Sequence, residues 1–314
     1  MLNILITGGC GFIGSNMVEY VLNNDKIDKV VVLDNLSTGT YDNIKRFEDN
    51  PRLRVVIGDM RDFDVCKDAC KGVDVICSLA ALGSVPRSMK TPLSSHDNNV
   101  NSFANLLEAA RSSGIKRVVY ASSSSVYGNT KDLNDFDYCK PVSFYGLTKH
   151  VNDLYASYYS KYFGMECIGM RYHNVFGKNQ SFSGEYSAVI PIFITRCLKN
   201  SDLVIHGDGS QYRDFTHVSN VIHANMLALT TDNVDAFGKS FDIGSNTKVS
   251  VLELADTIIE LSDSISSKSF VASRTGDIHA SFADMALSEM YISYRPLTNF
   301  TDGIKKTILK YKFS

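Results

Sequence analysis

Leu2-Asn3-Ile4-Leu5-Ile6-Thr7-Gly8-Gly9-Cys10-Gly11-Phe12-Ile13-Gly14-Ser15 is the stretch that decides the fold. Leu2 to Ile6 is a short apolar run of the buried-strand type, and it leads directly into the glycines. Beyond them, Asn16 to Asn24 carries Met17, Val18, Tyr20, Val21 and Leu22, as a helix packed on a sheet does. A glycine loop between a strand and a helix N-terminus offers free amides and the positive end of the helix dipole to a pyrophosphate. The glycines satisfy both G-x-x-G-x-x-G (Gly8, Gly11, Gly14) and G-x-G-x-x-G (Gly9, Gly11, Gly14). Neither pattern is specific by itself.

The next strand, Lys29 to Leu33, ends in Asp34, twenty residues beyond Gly14. An acid there is placed to grip a ribose diol, and its charge disfavours a 2′-phosphate, so the cofactor reads as NAD and not NADP. As a bare turn residue Asp34 opens the turn-like Asn35-Leu36-Ser37-Thr38-Gly39, but strand, loop, helix, strand and acid at this spacing outweigh that reading. A third strand, Arg52 to Ile57, ends in Gly58-Asp59-Met60, whose backbone is placed to meet an adenine.

Alternation continues with a strand Val73 to Leu79, a long helix from about Ser94 to Ser113, and a strand Arg117 to Ala121. A helix from about Tyr145 to Phe163, a strand Cys167 to Tyr172, a helix Val218 to Thr231 and a late strand Ser240 to Gly244 follow. Repeated β-α-β predicts an α/β, Rossmann-type doubly wound parallel sheet. Lys178 to Tyr186 is polar, and Leu252 to Ser262 is a helix followed by a serine-rich stretch. With no repeat and no long linker, the smaller C-terminal substrate domain is expected to interleave with the larger. The expected division is 1–172 with 214–247 for the dinucleotide domain, and 173–213 with 248–314 for the substrate domain.

The chain has 314 residues, is 44% hydrophobic and 21% charged, and carries a net charge of -2. That is chain enough for a large core, and the near-neutral balance argues against a nucleic-acid binder. The absence of an eighteen-residue apolar run and of a basic leader ahead of the first strand predicts no membrane span and no signal peptide. The seven cysteines, Cys10, Cys66, Cys70, Cys77, Cys139, Cys167 and Cys197, are odd in number and scattered, which predicts buried thiols in a reducing, cytoplasmic setting. Cys66 and Cys70 stand four apart, but no second pair completes a zinc site, and no metal is expected.

The chemistry is carried by Tyr145 and Lys149 in Phe144-Tyr145-Gly146-Leu147-Thr148-Lys149, with Ser123 twenty-two residues before the tyrosine. Positions four apart share a helix face, so the ammonium is expected near the phenol, favouring its phenolate. A phenol near pKa 10 is otherwise a poor base at neutral pH. The hydroxyl of Ser123 is placed to hold the same substrate oxygen. Alone, Y-x-x-x-K is most often a surface helix; here it follows a dinucleotide motif.

In these features the chain resembles the extended branch of the short-chain dehydrogenase/reductase superfamily, and within it the UDP-sugar 4-epimerases. The resemblance spans Gly8 to about Asp284 and includes the glycine loop, Asp34, Ser123, Tyr145 with Lys149, Arg171-Tyr172-His173-Asn174-Val175-Phe176-Gly177, and Gly207-Asp208-Gly209 before Arg213-Asp214-Phe215. Ala80-Ala81-Leu82-Gly83-Ser84-Val85-Pro86-Arg87-Ser88 looks like the subgroup acting on UDP-N-acetylhexosamines or their uronic acids, supported by Gln180, Ala188, Arg274 and Ser281.

The resemblance implies a homodimer, and NAD held by Gly8, Gly11, Phe12, Ile13, Gly14, Asp34, Asn35, Ser37, Thr38, Gly39, Asp59, Met60, Ala80, Tyr145, Lys149 and Tyr172. It implies that Asn174, Arg213 and Arg274 hold the diphosphate of a UDP-sugar, while Gly83, Ser84, Ser124, Ser125, Gln180, Ala188 and Ser281 belong to the sugar side. Arginine suits a diphosphate because its planar fork is permanently charged. The implied reaction is 4-epimerisation through a transient 4-keto sugar, with UDP-N-acetylglucosamine the first candidate. Its uronic acid, UDP-glucose, a simple 4-reduction and a non-catalytic NAD sensor are the alternatives. Related 4,6-dehydratases carry an Asp-Glu pair where this chain has Ser124 and Ser125, which disfavours elimination. Ser78, His173 and the run His217-Val218-Ser219-Asn220 depart from the family pattern.

Overall fold

A computed structural model describes residues 1–128, 139–181, 188–273 and 280–312. Seven parallel strands form the central sheet, in the spatial order Leu53–Ile57, Ile27–Asp34, Leu2–Thr7, Val75–Ser78, Arg117–Ser123, Glu166–Tyr172, Lys239–Ile243. The chain runs outward from Leu2–Thr7 in one direction, then returns to its other side at Val75–Ser78. That reversal opens a crevice at the carboxyl ends of the two strands, the place where doubly wound sheets bind ligands. Ile4, Leu5 and Ile6 are fully buried because both faces are covered, which is why these strands read as continuous apolar runs.

One face packs against the helices Phe12–Leu22 and Val218–Thr230 through Met17, Val18, Val21, Val221 and Ala224. The other packs against Phe63–Ala69 and Ser102–Ser112 through Cys66, Phe103, Leu106 and Leu107. A third core, built from Phe176, Phe193, Ile194, Ile205, Leu254, Ile258 and Ile304, lies apart from the sheet. It is surrounded by the helices Val189–Leu198, Val251–Ser262 and Phe300–Lys312. Ser250 and Glu253 close a capping box at the second of these, reciprocally satisfying two orphan amides.

Two expected elements differ. The first helix begins at Phe12 directly on the glycine loop, with Gly11 as its cap, and not at Asn16. The expected helix from Ser94 to Ser113 is interrupted: Pro92–His96 is followed by a π-helical turn, Asp97–Asn101, and then Ser102–Ser112. The wider turn frees Asn99 to bond away from its own helix. Its side chain accepts from Leu82 N at 2.8 Å and donates to Leu82 O and Thr148 Oγ1.

Candidate active site

At the crevice, Gly8 N donates to Leu33 O and Gly11 N to Gly8 O, closing a tight turn under the first helix. Gly14 sits in the first turn of that helix so close to the loop that a Cβ on it would lie 2.0 Å from Gly8 O. Gly8 itself has φ +70° and abuts Ala80, whose amide bonds to Thr7 Oγ1 at 3.2 Å. Asp34 accepts from Cys10 N at 2.9 Å and from Leu36 N at 2.8 Å. Its carboxylate is thus fixed beside the loop by two amides.

These elements bound a cleft of about 300 Å³. Gly8, Gly11, Phe12, Ile13, Gly14, Asp34, Asn35, Ser37, Thr38, Asp59, Met60, Ala80, Gly83, Tyr145, Lys149 and Tyr172 all border it. Gly39 does not border the cleft: its Cα packs on the Cys10 backbone, where Thr40 N bonds Cys10 O, so it braces the loop from behind. Asp59 is engaged by Arg61 and Asn35, and the Arg61 guanidinium holds its carboxyl well below the usual range. Tyr172 sends its hydroxyl away from the cleft to Asn225.

The cleft also has a wall that sequence reasoning passed over: Asn98, Ser102 and Ser122. Ser122 borders the cleft, and its hydroxyl is buried without a hydrogen-bond partner, an unmet polar group at the cleft wall. Glycines closing on backbone, a carboxylate at a strand end and an orphan hydroxyl fit NAD. No cluster of potential metal ligands exists among the described residues.

At one end of the cleft the helix Phe144–Phe163 begins, with Ser143 Oγ accepting from Gly146 N as its cap. Ser88 Oγ accepts from Tyr145 N at 2.9 Å, a second anchor missed in the sequence. A Cβ on Gly146 would lie 2.4 Å from Ser125 O, so only glycine lets this helix touch the turn after Ser123. The approach brings Ser123 Oγ close to the Tyr145 phenol. Burial pushes that phenol up and the neighbouring Ser123 hydroxyl opposes the rise.

Lys149 lies on the Tyr145 face of the helix, as the spacing predicts, and is buried. Its ammonium donates to Ala121 O at 2.7 Å and stands 6.0 Å from the Tyr145 ring centre. Burial lowers its pKa to about 8, with Asp153 pulling the other way.

Asn174, Gln180, Ala188 and Arg213 meet around a second cavity of about 510 Å³, which Phe176, Phe193 and Phe215 also line. Asn174 adopts φ +35° and donates to Asp214 O, while Gln180 donates to Val175 O and keeps a buried, unpartnered Oε1. Asp214 accepts from Ser245 N and Asn246 N, although burial pushes its carboxyl up. Ser281 is paired in backbone register with Arg213; its side chain and all of Arg274 lie outside the described residues. Ser84 accepts from Arg87 N as the cap of Val85–Lys90, at an unusual φ of +116°. Ser124 and Ser125 form the turn after Ser123 and border neither cavity. His173 is buried with Nε2 3.3 Å from Asp242 Oδ1.

A doubly wound sheet, a glycine loop with a fixed acid, and a Ser-Tyr-Lys group at the end of the cleft define a dinucleotide-dependent enzyme. Residues 4–244 match the model of the NAD dependent epimerase/dehydratase family, and the chain belongs to that family. A putative UDP-glucose 4-epimerase of Methanocaldococcus jannaschii is 36% identical over 97% of each chain. The UDP-N-acetylglucosamine 4-epimerase of Methanobrevibacter ruminantium, solved with UDP-N-acetylmuramic acid, superimposes with a TM-score of 0.92 at 31% identity, covering 99% of this chain and 98% of that one. DesIV, a dTDP-glucose 4,6-dehydratase of Streptomyces venezuelae solved with NAD, gives a TM-score of 0.89 at 30% identity, covering 100% and 98%. NAD is the cofactor of this family.

Proposed function

We propose that this chain interconverts the C4 epimers of a UDP-hexose, with UDP-N-acetylglucosamine and UDP-N-acetylgalactosamine the preferred pair. The observation that carries the reading is the placing of Ser123 beside the Tyr145 phenol, with Tyr145 and Lys149 bordering the cleft, followed by hydroxyls and not carboxylates at Ser124 and Ser125. NAD, when bound, supplies hydride acceptance and return at the sugar carbon.

Tyr145 takes the proton of the sugar 4-hydroxyl, and Ser123 holds that oxygen. Lys149 lowers the cost of the phenolate by its charge. No second acid and base stand at Ser124 and Ser125 to remove water, so the oxidised sugar has no route to elimination there. Asn174 and Arg213 anchor the nucleotide diphosphate at the second cavity, distant from C4, with Gln180 on the sugar side, which leaves the sugar able to present either face. Gly8, Gly11, Gly14 and Asp34 take the pyrophosphate and ribose of the cofactor. The acetamido preference rests on the segment Gly83-Ser84 and on Ala188 at the cavity rim, and on the likeness to the Methanobrevibacter enzyme.

The division of labour follows 1–172 with 214–247 for the cofactor and 173–213 with 248–314 for the nucleotide sugar, supported by the separate third core. A homodimer fits the helix Phe144–Phe163, which exposes Leu147, Leu154, Tyr155, Tyr158 and Tyr162 along one side. A reducing, cytoplasmic setting fits seven unpaired cysteines, of which six are buried.

Purified protein, given no NAD, is incubated with UDP-N-acetylglucosamine, UDP-glucose or UDP-N-acetylglucosaminuronic acid, and sugar stereochemistry is followed by proton NMR. The galacto epimer should appear fastest from UDP-N-acetylglucosamine without net change in cofactor redox state. No epimer from any of the three, with NAD present in the protein, overturns the reading in favour of a reductase.

A further inference from the structure

Lys149 is 2% exposed, and the acceptor of its ammonium is a neutral carbonyl, Ala121 O. A buried ammonium paired only with a neutral acceptor is costly, so its charge needs an anion nearby. Among the described residues, Asp153 is the carboxylate whose field acts on it. Tyr145, Lys149 and Asp153 follow at intervals of four on the helix Phe144–Phe163 and share one face.

Asp153 is itself buried and rigidly held. Arg171 donates to its Oδ2 from Nε at 3.1 Å and Nη2 at 3.0 Å, and Tyr120 Oη donates to its Oδ1 at 3.1 Å. Arg171 also donates to Tyr127 Oη at 2.9 Å, and Tyr127 donates to Asp242 Oδ1 at 2.7 Å. Two cations, Lys149 and Arg171, thus face two anions, Asp153 and Asp242. The other titratable neighbours do not replace Asp153: burial disfavours the charged forms of His150, Cys139, Tyr120 and Tyr127 alike.

We propose that Asp153 is a positioning residue for the proton-transfer pair, holding Lys149 in its charged form beneath Tyr145, with Arg171 as the counter-charge that limits this pull. The proposal rests on the reading of Ser123, Tyr145 and Lys149 given above. It assigns opposite signs to the two partners of one ion pair. Removing the Asp153 charge weakens the lysine ammonium and makes the phenol harder to ionise. Removing the Arg171 charge leaves the carboxylate to act on Lys149 undiminished and makes the phenol easier to ionise.

The test is the ionisation of Tyr145 in resting holoenzyme, read as the ultraviolet tyrosinate difference against Tyr145→Phe, in the Asp153→Asn, Asp153→Glu and Arg171→Gln backgrounds, together with the pH profile of kcat. Asp153→Asn should move the Tyr145 transition and the acid limb of kcat to higher pH, with kcat at neutral pH at least tenfold lower and KM little changed. Asp153→Glu should restore the profile, and Arg171→Gln should move the transition to lower pH. If Arg171→Gln does not fold, Tyr120→Phe, which removes a donor from Asp153 and no charge, should give a smaller shift of that same sign. Shifts of equal sign in Asp153→Asn and Arg171→Gln, or an unmoved Tyr145 transition in Asp153→Asn, overturn the proposal. Because the titration reads Tyr145 whether or not a sugar turns over, its failure is separable from failure of the epimerase reading.

Discussion

The backbone amide of Cys10 donates to Asp34 Oδ2 at 2.9 Å, so the carboxylate bordering the cleft also ties the glycine loop to the neighbouring strand. The same side chain accepts from Leu36 N through its other oxygen. Asparagine has one acceptor oxygen where aspartate has two, and its amide group would confront one of these N–H groups. Asp34→Asn should therefore lower stability by about 1–3 kcal/mol and relax the bias against a 2′-phosphate. Thermal melting and the NAD to NADP binding ratio check this; an unchanged melting temperature would show that Asp34 does not brace the loop.

Gly14 has no room for a side chain. A Cβ there would meet Gly8 O and Gly9 Cα, backbone atoms that cannot turn aside, whereas one on Gly83 meets nothing within 4 Å although Gly83 borders the same cleft. Gly14→Ala should cost about 1–3 kcal/mol or more and yield protein poor in NAD, while Gly83→Ala should keep its cofactor. Cofactor content by absorbance after purification separates the two. Equal retention in both variants defeats the argument.

Lys149 has a pKa of about 8 in the fold against a reference of 10.5. Between these values the unfolded chain holds more protons, so the group's contribution to stability rises as pH increases from about 8 to 10.5, and its burial cost is fully present below about 8. Lys149→Met should be more stable than the parent at pH 7 by up to roughly 3 kcal/mol, and should lack that rise. Epimerisation should be reduced at least a hundredfold, as should that of Tyr145→Phe. Denaturant melts across pH and the NMR assay test both halves; a less stable Lys149→Met would contradict the burial argument.

Burial pushes the thiols of Cys10, Cys66, Cys70 and Cys167 up to about 12, and Cys77 higher still. Cys139 is the cysteine left partly exposed. Alkylation at pH 8 should mark Cys139 first and the full set only in denaturant, as mass spectrometry of digests will report. Early labelling of Cys77 would mean that the sheet opens far more readily than its packing implies.

What was legible in the sequence is what neighbours in the chain decide. Strand, glycine loop and helix follow one another directly, and Asp34 ends the next strand, so the fold and the cofactor cleft could be read from spacing alone. The π-helical turn at Asp97–Asn101 could not, because Asn99 bonds to Leu82 and Thr148, seventeen and forty-nine residues away. The acceptor of Lys149 was hidden for a similar reason: helix periodicity gives the face it shares with Tyr145, but Ala121 O comes from a strand. Ser88 and Ser122 gave little signal, though the strand's alternation already set Ser122 on the opposite face from Ser123. Gly39 entered the cofactor set through the family resemblance; in the fold a Cβ on it would meet the Cys10 backbone, so it lets two backbones touch.

Asn99 satisfies both the N–H and the C=O of Leu82, on the wall of the cleft. Swinging that wall aside requires both bonds to break together, each worth about 1 kcal/mol net. On the proposed reaction, a dinucleotide kept in that cleft is reset within each turnover. The cellular ratio of oxidised to reduced pyridine nucleotide then has no purchase on the direction of the reaction, which is set by the ratio of the two sugars against their equilibrium constant.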